Sequence, residues 1–86
     1  MSAFVGKISG FDVLRFGAGT GAHLRCFAIV SERLPPPNGK EIQVITDELP
    51  LMLALSVGTT LKTDVEVSYD ESDEGNKLSR VRILDR

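Results

Sequence analysis

Tryptophan is absent from the 86 residues, cysteine and histidine occur once each, and aromatic side chains make up only 6% of the chain. A lone cysteine, Cys26, cannot staple the chain to itself, so the expectation is a reduced, cytoplasmic protein held together by packing and hydrogen bonds. His23 and Cys26 are three residues apart in sequence, a spacing that sends them to opposite faces of a strand, so they make neither a metal site nor a nucleophile–base pair. No catalysis, no cofactor and no metal is expected. The longest apolar stretch, residues 49–57, carries Pro50 and is far short of the roughly 20 residues that span a bilayer, which excludes a membrane helix. Residues 1–7 show no basic segment followed by an apolar one, so no export signal is read there. Two further patterns fail on inspection. The Gly17-Ala18-Gly19-Thr20-Gly21 run lacks the Gly-Lys-Ser/Thr of a phosphate loop and leads into a strand, so it reads as a flexible turn. The acidic run at 70–74 lacks the glycine and glutamate positions of a calcium loop and reads as a solvated hairpin tip.

What is present is ordinary for a globular domain: 42% hydrophobic and 26% charged residues, enough for one domain over residues 1–86. The net charge of −2 is unevenly spread. Residues 1–45 hold five basic and three acidic side chains, a balance of +2, while residues 46–86 hold five basic and nine acidic ones, a balance of −4. Any phosphate-binding surface must therefore be local rather than a coat over the whole molecule.

Five segments alternate with a period of two and one does not. Residues 4–16 read as a long strand bent at Gly6 and Gly10, since glycine inside a strand marks a bulge or a corner. Residues 23–31 form a second strand, with Phe27 and Ile29 on one face and Cys26, Ala28 and Val30 on the other; Phe27, sharing a face with Ile29, is assigned to the core. The proline triplet at 35–37 makes a loop, and 41–46 a third strand. Over 48–57 the pattern turns helical, with Thr46 or Asp47 as N-cap, Pro50 in the first turn and Gly58 as the stop. That helix is apolar nearly all round, so more than one of its sides should be covered. Residues 61–69 and 77–84 are the last strands, joined by an acidic hairpin loop at 70–76, with Val81 and Ile83 pointing inward. Strand, strand, strand, helix, strand, strand is the order of an all-β, five-stranded oligonucleotide/oligosaccharide-binding (OB) barrel with one short helix between strands 3 and 4; an SH3-like barrel, which would not supply an apolar helix there, comes second and a mixed α+β sheet third.

Several of these segments carry a resemblance. Gly6-Lys7-Ile8-Ser9, Leu14-Arg15-Phe16, the glycine-rich turn and Phe27-Ala28-Ile29-Val30 followed by Arg33 are similar to the first half of the bacterial single-stranded-DNA-binding proteins and their relatives of the primosomal replication protein N type. Most of the chain takes part, the second half more loosely. The resemblance implies an OB-fold that binds single-stranded DNA, or RNA, without sequence preference, in replication or recombination, and that self-associates as a dimer or tetramer. The chain departs from the family in having no tryptophan to stack bases, Ile42 on the third strand, Asp64-Val65-Glu66 where a glycine is usual, and four carboxylates in the hairpin that usually helps wrap DNA.

Single-strand binding needs cations along the phosphates and flat rings for the bases. Lys7, Arg15, Phe16 and Arg25 are the candidates on the first two strands, with Arg33 after the second and Arg80 and Arg82 alternating on the last. The competing account makes Phe16 a plug at the barrel end and the arginines solvated charges. The function expected second is then a protein-interaction barrel that has lost its nucleic-acid surface.

Overall fold

A computed structural model describes residues 2–32 and 39–84. Arg33 and the proline loop therefore lie outside the described residues. Strand β1 (Ser2–Phe16), β2 (His23–Ser31), β3 (Glu41–Thr46), helix α1 (Leu49–Leu61), β4 (Asp64–Ser72) and β5 (Gly75–Ile83) follow in the expected order. The five strands form one sheet whose ring order β1-β2-β3-β5-β4 closes on itself. Every neighbouring pair is antiparallel except β3 with β5.

β1 is long enough to serve two neighbours. Its first half pairs with β4 from Ser2 opposite Tyr69 to Lys7 opposite Asp64, and its second half pairs with β2 from Lys7 opposite Ser31 to Phe16 opposite His23. The handover needs a bend, and both expected glycines take part. The register slips between Ile8 and Gly10, and at Gly6 the chain passes so close to the Ser31 carbonyl that a Cβ would fall 2.7 Å from the carbonyl carbon.

At the centre of the ring the fully buried strand residues are slim, with Phe4, Ile8 and Phe11 packed part-buried against them. Cys26, Ala28 and Val30 of β2, Val44 of β3, and Val65 and Val67 of β4 are fully buried there, with Leu78 of β5 beside them. The bulkier Phe27 and Ile29 point out, so the assignment of Phe27 to the core is corrected: it is half-buried on the outer face of β2. Val81 and Ile83 are half-buried and pack against the core, as expected.

Met52 and Leu55 of α1 close one end of this core. Full burial of one such side chain as Leu55 contributes about 1.5–3 kcal/mol. The helix runs one turn beyond the expected stop. Gly58 lies inside it and is buried, because an added Cβ would stand 2.8 Å from Val65 Cγ1 and 3.2 Å from Ile8 Cδ1; the glycine marks close helix–sheet contact rather than a terminus. The actual C-cap is Lys62, in the left-handed region at φ 54°. At the other end the N-cap is Glu48 rather than Thr46 or Asp47, and it makes no side-chain capping bond; the Thr46 hydroxyl accepts the Glu48 N–H at 3.0 Å, while Asp47 is engaged elsewhere. Among the described residues no helix is long and apolar enough to cross a membrane. The acidic loop is also shorter than expected: β4 and β5 extend until Ser72 faces Gly75, leaving Asp73 and Glu74 as a two-residue turn.

Candidate nucleic-acid interface

Paired residues of an antiparallel ladder share a face. On the outer face of the β1–β2 hairpin, Asp12 therefore stands opposite Phe27, Leu14 opposite Arg25, and Phe16 opposite His23. The rings gather there. Phe16 lies 6.2 Å from His23 at an interplanar angle of 25° and 6.2 Å from Phe27 at 52°, and the Arg25 guanidinium carbon is 5.4 Å from the centre of the Phe16 ring. Phe16 keeps 38% of its surface in water, so the hairpin presents an open aromatic platform with a cation on it. Beyond it, Gly10, Phe11, Asp12, Leu14, Phe27, Ile29 and Gln43 line a shallow groove of about 400 Å³ that runs from β1 onto β3.

The cation is not idle. Arg25 donates from Nε to Asp47 Oδ1 at 2.7 Å and from Nη2 to Asp47 Oδ2 at 3.0 Å, and its Nη1 lies 3.1 Å from Glu74 Oε2. The hydrogen bonds from Arg25 hold the Asp47 carboxyl below its usual range, with the charges of Arg25, His23 and Lys77 acting in the same direction against some desolvation. The same hydrogen bonds to Asp47 raise Arg25 above its ordinary value, the charge and hydrogen bond of Glu74 adding to them against desolvation. His23 Nε2 is 3.6 Å from Asp47 Oδ2. Asp47 thus ties the ring platform to the start of α1. Glu74 ties it to the β4–β5 turn, so the hairpin tip is not simply solvated. Between them lies a hollow of about 180 Å³ lined by Arg25, Ile45, Thr46, Asp47, Glu48, Lys77 and Leu78.

Of the sequence candidates among the described residues, only Phe16 and Arg25 come together. Arg15 pairs with Leu24 and projects from the opposite face of the hairpin, beside Val13. Lys7 shares the outer face but sits toward the other end of β1, beyond the bend at Ile8–Gly10 and opposite Ser31 at the far end of the hairpin from Phe16. Arg80 and Arg82 face Ser68 and Glu66 on the β4–β5 side of the ring, and Arg82 pairs with Glu66 at 3.1 Å. The side chains that complete the platform, His23, Phe27, Asp47 and Glu74, escaped the sequence reading, as did Lys77 and Gln43. For two of them the signal was available: His23 and Phe27 alternate with Arg25 along β2 and fall on the face of Phe16 once the hairpin register is set. Asp47 and Glu74 reach the platform only through chain closure.

No family model matches this sequence, and no curated protein or solved structure is significantly similar to it.

Proposed function

We propose that this chain binds single-stranded nucleic acid, DNA in the first instance, on the outer face of the β1–β2–β3 sheet of an OB-fold. The OB reading is supported by the ring order β1-β2-β3-β5-β4 and by the helix between β3 and β4. The observation that carries the function is the Phe16–His23–Phe27 ring cluster with Arg25 over the Phe16 ring. A base laid on that platform gains stacking on a partly exposed ring, and the adjoining groove gives the next nucleotides an apolar floor with Gln43 at its edge. Affinity is low and the salt dependence shallow, because few cations among the described residues reach this face and Arg25 is already shared by two carboxylates.

That same sharing favours a second reading, a protein-interaction barrel whose platform receives a side chain rather than a base. Fluorescence anisotropy of labelled oligo-dT, titrated at low and physiological salt beside a duplex control, separates the two. Saturable binding that prefers the single strand and weakens with salt is the expected result. No binding at low salt removes the nucleic-acid reading and leaves the interaction module.

A further inference from the structure

Asp12 is the one charged residue among those that line the groove beside the ring platform. The ladder fixes its place. Asp12 of β1 stands opposite Phe27 of β2, and one row on, Ile29 of β2 has Gly10 of β1 on one side and Gln43 of β3 on the other. Phe27 and Ile29, both half-buried, thus make an apolar floor between an Asp12 wall and a Gln43 wall. Neighbouring strands lie about 4.8 Å apart, so the walls are separated by about 10 Å across β2, the space of one flat heterocycle with a hydrogen bond at either edge. Both wall residues are exposed. Among the described residues no hydrogen bond or ion pair engages the Asp12 carboxylate. On the other wall it is the Gln43 backbone carbonyl, not the side-chain amide, that accepts from Asn76 Nδ2 at 3.1 Å.

We infer that Asp12 makes this groove selective for guanine and against thymine and uracil. An ionised carboxylate can only accept hydrogen bonds, and it does so through two oxygens. It also repels phosphate, so the sugar–phosphate chain keeps to the rim and a base edge enters. Guanine presents N1–H and its 2-amino group side by side, two donors spaced as a carboxylate receives them in a pair. Its O6 and N7 then lie toward Gln43, whose amide donates. Adenine and cytosine present one amino group beside a ring nitrogen that is itself an acceptor, and they gain a single hydrogen bond. Thymine and uracil present one N–H between two carbonyl oxygens, which Asp12 repels, so stacking alone holds them. Unpaired bases of single strands are read on these same edges.

The inference rests on the nucleic-acid reading, and it departs from the lack of sequence preference that the resemblance implies. An arginine side chain from a protein partner would also satisfy Asp12. Being linear, it covers one wall of the groove, whereas a flat ring on the Phe27–Ile29 floor meets both.

Fluorescence anisotropy with labelled oligo-dT, and with strands of the same length in which every third thymine is replaced by guanine, hypoxanthine or cytosine, tests it. Hypoxanthine keeps N1–H and lacks the 2-amino group. The guanine strand is expected to bind about five- to tenfold more tightly than oligo-dT, with the hypoxanthine and cytosine strands between them. Asp12→Asn places one donor and one acceptor at an exposed position, a combination that suits thymine as well as guanine. It is expected to bring the guanine strand within about twofold of oligo-dT, with an unchanged circular dichroism spectrum. Three results overturn the inference and leave the nucleic-acid reading standing: guanine and thymine strands of equal affinity, a hypoxanthine strand as tight as the guanine strand, or an Asp12→Asn chain that keeps the full preference. If no strand binds, including where a labelled arginine-rich peptide binds instead, the nucleic-acid reading falls and this inference falls with it.

Discussion

Arg25 and Asp47 are joined by two hydrogen bonds of 2.7 and 3.0 Å while the same guanidinium rests 5.4 Å from the centre of the Phe16 ring. One cation thus serves a carboxylate fork and an aromatic face together. The pairing orients the arginine over the ring and also withdraws its charge from an incoming phosphate.

Asp47→Asn keeps the shape of the side chain and removes its charge. On the nucleic-acid reading, the variant binds oligo-dT about three- to tenfold more tightly at low salt, and its plot of log affinity against log salt steepens by about 0.7, one further phosphate contact on a single strand. Anisotropy titrations at several salt concentrations measure both quantities. An unchanged slope shows that Arg25 does not meet a phosphate.

Phe16→Ala removes the platform itself. Loss of one stacked base costs about 1–3 kcal/mol of binding, whereas the fold loses little because the ring is partly exposed and lies at the end of the hairpin. Binding and thermal melting of the same preparation check the two halves of this statement. A folded variant with undiminished affinity excludes Phe16 from the site.

The Arg25–Asp47 pair also makes stability depend on acid. The carboxyl of Asp47 is held below its unfolded value, so its contribution is fully present above the ordinary carboxylate range and is lost as the pH falls through the folded value. Both groups are solvent-accessible, so the effect is small. Urea midpoints between neutral pH and pH about 3 should fall less steeply for Asp47→Asn than for the wild type.

Burial pushes the Cys26 thiol up to about 11, and the charge of Asp12 adds to it. The folded protein should therefore be inert to alkylating and disulfide reagents at neutral pH and react only on unfolding. Because the folded value lies above the unfolded one, this contribution is complete below pH about 9 and is lost as the pH rises toward 11. Thiol titration with and without denaturant gives the first result, and melting temperature against alkaline pH the second.

Gly58→Ala sets two effects against each other. Alanine improves helix propensity by about 1 kcal/mol, but its methyl group meets Val65 Cγ1 at 2.8 Å, on a fully buried β-branched side chain with little room to turn. Overpacking of this kind costs about 1–3 kcal/mol. Net destabilisation is expected, relieved when Val65→Ala is added, and denaturant unfolding of the single and double variants decides it.

Element types were readable because they depend on near neighbours in the chain. The period of two marks β1 to β5, and the glycines at 6 and 10 announce the bend that lets β1 serve two partners. Element ends were harder to read. Gly58 looks like a helix stop in sequence because glycine is favoured there, yet its place is set by Val65 and Ile8 from two different strands. The 70–76 segment looks like a loop because it is acidic, yet pairing with β5 draws Asp70, Glu71 and Ser72 into the ladder.

The alternation in β2 already separated Phe27 and Ile29 from Cys26, Ala28 and Val30 by face, and the composition already located the positive balance in the first half of the chain. Which face was interior depended on which side of β2 meets β1, β3, β4 and α1 when the ring closes: Cys26, Ala28 and Val30 join that core, and Phe27 is left beside Phe16. The partners of Arg25 were decided in the same way. Asp47 and Glu74 are 22 and 49 positions along the chain from it, and only closure of the sheet brings their carboxylates within hydrogen-bonding reach. Local sequence sets which way successive side chains alternate, but the choice of inside and the meeting of distant charges follow from the curvature of the whole sheet.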